Sequence, residues 1–163
     1  MSIPLSLPGF RLGHAHDAGV RTGVSVILPD APAPCAVDVR GGGPGTRETD
    51  TLAFGGLIER VHAVVLSGGS VYGLAAADAV TARLGARRQG FAVRDDANIP
   101  VSPIVPAAIL FDNANGGDKS WGETPPFARL GGEALEAASS RTGEGRLGAG
   151  FGAMAGTHPG GFG

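Results

Sequence analysis

The sequence predicts a single domain of the α/β or α+β class, for three reasons. Short apolar runs recur along the 163 residues, as at residues 61–66 and 104–111. They alternate with stretches of helical character, of which residues 71–84 are the longest. There is no internal repeat, and no linker divides the chain into two units. Such alternation calls for helices layered on a sheet. The 29 glycines and 12 prolines make up about a quarter of the chain, a level at which disorder has to be considered. The balance of the other residues argues against it: 42% are hydrophobic, only 17% are charged, and the net charge is −2. A disordered chain shows low hydrophobicity and high charge. The expectation is a compact, close-packed, glycine-rich protein.

In chain order, residues 20–28 alternate weakly, are rich in β-branched side chains and read as a strand. Residues 29–34 form a turn-rich loop, and residues 35–39 form a second short strand that would make a hairpin with the first. Residues 40–50 are a loop dominated by Gly41, Gly42, Gly43, Pro44 and Gly45, and residues 51–58 a short helix or turn. The continuous apolar run at residues 61–67 reads as a buried strand, broken by Gly68 and Gly69. The helix over residues 71–84 carries Leu74, Ala75, Ala77, Asp78, Val80 and Ala82; alanine favours helix, and small side chains let it lie close to a sheet. Residues 91–93 and 104–111 read as strands, 112–124 as a polar loop and 133–140 as a helix. Residues 145–152 have glycine at every second or third position, and the last four residues are Gly160, Gly161, Phe162 and Gly163.

Bulk properties exclude several functions. No apolar run approaches the ~20 residues of a membrane span, and the first eleven residues lack the basic and apolar regions of a signal peptide, so cytoplasm is the default. The lone Cys35 allows neither an internal disulfide nor a cysteine metal cluster. The 13 basic and 15 acidic residues are mixed, and aromatics are 6%, which argues against nucleic-acid binding. His14 and His16 are two apart and can share one face of a strand. Without further ligands at suitable spacing they predict no metal site, and no cofactor is expected.

Four constellations could carry chemistry. Gly68, Gly69 and Ser70 lie between a strand and a helix. There Ser70 could be exposed as on a nucleophile elbow, although the spacing to Gly73 is one residue longer than G-x-S-x-G. It could instead cap the helix, or the backbone N–H groups could hold a negative oxygen. Tyr72, the only tyrosine, is either core or directed at a site. Residues 40–50 lack the Gly-Lys-Ser/Thr ending of a phosphate loop and read as a loop needing positive φ and close backbone approach. Gly148, Gly150 and Gly152 mimic a dinucleotide fingerprint without its flanking strand and helix, so a tightly packed strand is the expectation. Asn115 follows a buried strand, before Gly116 and Gly117. It is either a turn residue or an amide donor aimed at an oxyanion.

Taken together these segments resemble the P1 family of self-processing hydrolases, the group of the L-aminopeptidase/D-esterase, the β-peptidyl aminopeptidases and the nylon-oligomer hydrolase. The resemblance is carried in order by residues 37–50, 66–78, 103–112, 144–150 and 160–163, and runs from about residue 9 to residue 163. It implies an αββα sandwich resembling N-terminal-nucleophile hydrolases, in which this chain is the α subunit (residues 1–163) and a separate β chain completes the fold. The precursor of such proteins cuts itself between Gly-Gly-x-Gly (or Asn) and a Ser or Thr, which makes Gly163 the residue before the cut. The nucleophile would then be the first residue of the β chain, with its own α-amino group, of pKa near 8, as base. The αβ unit would assemble further, as a tetramer of αβ or similar.

By the same resemblance Asn115 would stabilise the tetrahedral oxyanion. The backbone at Gly69 and Ser70 is a second candidate, and Tyr72, where relatives often carry Phe, a third. Lys119 would orient Asn115 or meet a substrate carboxylate. Arg146 stands where many relatives have asparagine and could alter substrate preference. The implied substrates are peptide or other amides: α-peptides, β-peptides, D-amino-acid amides, pantetheine-like amides or nylon oligomers. Two other readings remain: a serine esterase with Ser70, Asp112 and His158 in the chain order of α/β-hydrolases, and a non-catalytic glycine-rich binding homologue.

Overall fold

The computed structural model describes residues 3–163. Its elements in chain order are β1 (Ile3–Pro4), β2 (Phe10–Asp17), β3 (Thr22–Pro29), β4 (Thr46–Arg47), β5 (Val64–Ser67), α1 (Ala75–Ala86), β6 (Ala107–Ile109), α2 (Phe127–Glu136), β7 (Arg141–Thr142), β8 (Met154–Ala155) and β9 (His158–Pro159). The main sheet has the order β2-β3-β5-β6-β4, with β5 and β6 parallel and the other neighbours antiparallel. Helix α1 makes the crossover that a parallel pair requires.

Both helices pack on one face of this sheet. Ala76, Ala77, Val80 and Leu84 of α1 and Phe127, Leu130, Ala134 and Leu135 of α2 close over Ala15, Val24, Val26, Leu28, Val65 and Ala107. Alternate residues of the same strands, among them Ser25, Leu66 and Ala108, face the other way, as the two-residue strand period dictates. Part of that second face is crossed by residues 148–152: Gly23 backs directly onto the Gly148 carbonyl, and the Ala149 N–H donates to Ser25 Oγ at 3.0 Å.

Several expectations are corrected. The hairpin partner of β3 is β2, paired from Phe10↔Pro29 to Asp17↔Thr22, and not residues 35–39, which lie outside every sheet. Strand β2 gives no apolar alternation because its helix-facing positions are Gly13 and Ala15. A Cβ on Gly13 would run into the Ala134 carbonyl, so α2 is seated on glycine. The turn of the hairpin is built by Asp17, whose Oδ1 accepts the N–H groups of Gly19 and Val20 at 3.1 and 3.0 Å. Residues 91–93 make only the isolated bridge Phe91↔Ser102, and residues 148–150 form a 3-10 turn where a strand was expected. Helix α2 begins at Phe127, six residues before the expected start: Pro126, at the N-cap with its fixed φ, already accepts the Leu130 N–H at 2.9 Å. No helix among the described residues is long and apolar enough to cross a membrane.

Candidate active site

The parallel strands β5 and β6 end side by side, and the chain leaving each one enters the same cluster. Beyond β5, Gly69 and Ser70 both adopt left-handed backbone, with φ of +83° and +54°. This is routine for glycine and costly for serine. The residues beyond β6 hold that turn at three points. The Leu110 carbonyl accepts the Ser70 N–H at 3.0 Å, Asp112 Oδ1 accepts the Gly69 N–H at 2.7 Å, and Asn113 Nδ2 donates to the Gly69 carbonyl at 3.4 Å. Glycine is required here on steric grounds too. A Cβ on Gly69 would penetrate the Phe127 ring, and one on Gly68 would strike Asp112 Oδ2 and Thr22 Oγ1.

These bonds decide between the readings of Ser70. It lies inside a 3-10 turn (Ser70–Leu74) that precedes α1; Gly69 holds the N-cap position, and no side-chain capping bond is made there or at α1. The cap reading is therefore corrected. The esterase triad is not assembled either. Asp112 is turned inward onto Gly69, whereas His158 is exposed on β9 and its Nδ1 pairs with Thr157 Oγ1 at 3.4 Å.

Next to the turn, Asn115 makes a closed set of hydrogen bonds. Its Nδ2 donates to the carbonyls of Arg21 at 2.6 Å and Gly152 at 2.9 Å, and its Oδ1 accepts from the Gly117 N–H at 3.2 Å and Lys119 Nζ at 3.1 Å. Lys119 Nζ also donates to the Val20 carbonyl, and Arg21 Nη1 donates to the Asn115 carbonyl at 3.0 Å. Burial lowers the Lys119 pKa from its ordinary value, while the Asp112 carboxylate acts in the opposite direction. The hairpin turn of β2–β3, the loop after β6 and Gly152 are thus tied together through one asparagine and one lysine.

Tyr72 lies two residues after Ser70 in the same 3-10 turn. It is 49% exposed, with its ring edge-on to Trp121 at 5.6 Å between centroids. Its hydroxyl makes no hydrogen bond among the described residues. The last segment of the chain is held by Gly145, which exchanges two backbone hydrogen bonds with Phe162 at 2.7 Å, and by the packing of Gly161 on Gly150. Gly163 itself is exposed. Arg146 donates from Nε and Nη2 to the Phe151 carbonyl at 3.3 and 3.2 Å and lies 5.6 Å from the centre of the Phe151 ring. That ring is stacked on His16.

The structure thus gathers Gly69, Ser70, Asn115 and Lys119 at one end of the sheet, with Tyr72 on the same 3-10 turn as Ser70. Gly163 stands apart, joined to the cluster through residues 145–152. The cluster also contains Thr22 and Arg21, which no motif singled out, and Gly152, expected only in a packed strand; Arg21 and Asn115 are 94 residues apart. His14 and His16 share a face, as their spacing allows, but have separate partners. His14 Nδ1 meets Ser25 Oγ at 2.8 Å and Nε2 meets Thr142 Oγ1 at 2.9 Å. Among the described residues no group of His, Cys, Asp or Glu is arranged to hold a metal.

Comparison with known proteins places the chain in a family. The sequence profile of peptidase family S58 matches residues 6–163. The chain belongs to peptidase family S58. An uncharacterized aminopeptidase of Mycobacterium bovis is 43% identical over 163 residues, covering 95% of this chain and 45% of the relative. A 6-aminohexanoate-oligomer endohydrolase of Kocuria sp. is 33% identical over 159 residues, covering 95% and 39%. The S58 chain therefore spans less than half the length of these relatives. Among solved structures, a Burkholderia sp. beta-aminopeptidase superposes with a TM-score of 0.69 at 21% identity, covering 95% of this chain and 45% of that one. The L-aminopeptidase D-Ala-esterase/amidase of Ochrobactrum anthropi, described as a variant of the Ntn hydrolase fold, gives 0.65 at 20% identity, covering 91% and 43%. The fold is thus the mixed α and β fold of these Ntn-type aminopeptidases, and more than half of each solved chain lies outside the region matched here.

Proposed function

We propose that this single-domain chain is the α subunit of a self-processed amide hydrolase of the aminopeptidase or ω-amino-acid-oligomer type, whose Ser or Thr nucleophile begins a second, β chain. One observation carries the reading. The segment ending Gly160, Gly161, Phe162 and Gly163 is fastened, through Gly145 and Gly150, to the same stretch whose Gly152 carbonyl accepts from Asn115. The proposed cleavage point and the polar cluster are parts of one layer. The chain matches under half of its relatives' length, which leaves room for the second chain.

In this scheme the β-chain hydroxyl attacks the amide carbonyl while its own α-amine takes the proton. The carbonyl oxygen becomes an oxyanion, the leaving amine regains the proton, and water then frees the acyl group. Tyr72 offers the donor that is free among the candidates. The N–H groups of Gly69 and Ser70 are already bonded to Asp112 and Leu110, so their part is to shape the turn that carries Tyr72. Asn115 reaches the oxyanion by exchanging its bond to the Gly152 carbonyl for one to substrate, with its amide kept in orientation by Lys119 at Oδ1. The αβ unit assembles further into a tetramer. We place the enzyme in the cytoplasm, with which the unpaired Cys35 is compatible.

Denaturing electrophoresis and intact-mass measurement of the full gene product test the reading. The expected result is a chain ending at Gly163 plus a second chain whose amino-terminal sequence begins with Ser or Thr, active on short peptide or ω-amino-acid amides. A single uncut chain with full amidase activity would overturn it.

A further inference from the structure

Among the described residues Asp112 is the only buried ionisable side chain, 1% exposed, and the scheme above gives it no chemical step. A buried carboxylate is costly unless hydrogen-bonded, yet only one of its oxygens is. Oδ1 accepts the Gly69 N–H, while Oδ2 has no hydrogen-bond partner. The surroundings explain where Oδ2 is lodged. A Cβ added to Gly68 would run into it, and one added to Gly152 would stand 2.7 Å from it. The carboxylate is wedged between two glycines, one leading into the Tyr72 turn, the other offering the carbonyl that accepts from Asn115. Its charge also favours the ammonium form of Lys119, which holds Asn115 Oδ1.

We propose that Asp112 is the positioning residue of this site, its one carboxylate setting both the left-handed Gly69–Ser70 turn that presents Tyr72 and the Gly152–Asn115–Lys119 side of the cluster. The inference rests on the amide-hydrolase reading. Two left-handed residues in succession, one of them serine, persist only where their surroundings impose them. The bonds from Leu110, Asp112 and Asn113 are the ones that do so, and the Asp112 carboxylate also reaches Gly152, where Oδ2 is among the three atoms nearest to where a Cβ would stand.

The test uses the full gene product with Asp112→Ala and Asp112→Asn, and follows kcat, KM, the pH profile and thermal melting. Misplacement of reacting groups by about 1 Å lowers turnover about 10²-fold, so Asp112→Ala is expected to lose about that much in kcat per folded molecule, with KM within roughly threefold of the parent. Asp112→Asn keeps an acceptor for the Gly69 N–H and is expected to recover about tenfold of the loss. Because it removes the charge that favours the Lys119 ammonium, its activity should decline at lower pH on the alkaline side than the parent's. If Asp112→Ala does not fold, the Asn variant's alkaline limb decides. Asp112→Ala within roughly threefold of the parent in kcat, Asn no better than Ala, or an unmoved alkaline limb each overturns the inference while leaving the hydrolase reading intact. A parent protein that neither cuts itself nor hydrolyses amides fails that reading, and this inference with it.

Discussion

Asn115 uses both amide hydrogens and its carbonyl oxygen on partners from three separate stretches of chain. Asn115→Ala would leave the carbonyls of Arg21 and Gly152 without this donor and Lys119 without one of its acceptors. Removal of one oxyanion donor costs about 10²–10³ in rate, and the expected outcome is a loss in kcat of that order in the full-length enzyme, with slower self-cleavage in parallel. Unchanged turnover and cleavage would show that the asparagine is only a turn residue. His14 makes a different prediction. Burial, aided by the neighbouring His16 charge, lowers its pKa from 6.5. The folded state therefore binds fewer protons at this site than the unfolded state. The stability His14 contributes is present above pH 6.5 and is lost as pH falls from there through the lower folded value. Thermal melting followed from about pH 7.5 downward should show Tm falling in that window, and His14→Asn should flatten the decline. His62, whose pKa burial also lowers, contributes in the same direction. Asp17, lowered chiefly by the Val20 N–H, acts only in the more acidic range below 3.8.

At the scale of elements, glycine sets the distances. Helix α2 lies against β2 at Gly13 and against α1 at Gly131, where a Cβ would press on the Ala76 carbonyl. Crowding a close-packed interior costs about 1–3 kcal/mol, so Gly131→Ala should destabilise by that amount despite alanine's better helix propensity, and Gly131→Val by more. Denaturant unfolding at constant m-value would measure it, and a stabilising Gly131→Ala would show that the helices do not approach as closely as described. The same feature explains which elements were legible. The strands at β3 and β5 and the helix α1 stand out through continuous or alternating apolar residues. Strand β2 does not, because a position that faces a helix across so short a gap must be glycine and carries no hydrophobic signal. Residues 35–39 show the opposite failure: Val37 and Val39 look like strand but are 44% and 43% exposed, with no sheet partner.

At the scale of the whole molecule, the two faces of the main sheet differ. One is closed by two helices. On the other, Leu66 and Ala108 with Ala149, Gly150 and Phe162 line an open cleft of about 230 Å³. Elsewhere Phe54, Leu57, Val71, Val93 and Phe111 are from 64% to 108% exposed. Contiguous apolar surface marks an interaction site, and the cleft offers one on the sheet face that no helix covers. The 163-residue chain expressed alone is expected to self-associate with rising concentration in sedimentation measurements, whereas the intact gene product should sediment as one defined species. A monomeric, non-associating isolated chain would contradict this.

The amino-acid sequence was enough for the class of fold and the family, because those depend on local periodicity and on motifs contiguous in the chain, and it put forward a short list of polar residues. It left Ser70 open between nucleophile, cap and anion-holding turn, and Asn115 between turn residue and donor. Only the tertiary structure decided that the Gly69 and Ser70 N–H groups are taken by Asp112 and Leu110, that Asn115 is tied to Arg21, Gly152 and Lys119, and that Asp112 is buried between two glycines. Hydrogen-bond partners 37, 43 and 94 residues apart meet only when the parallel strands β5 and β6 end side by side. That juxtaposition comes from packing the sheet against its helices, and no local pattern in the sequence encodes it.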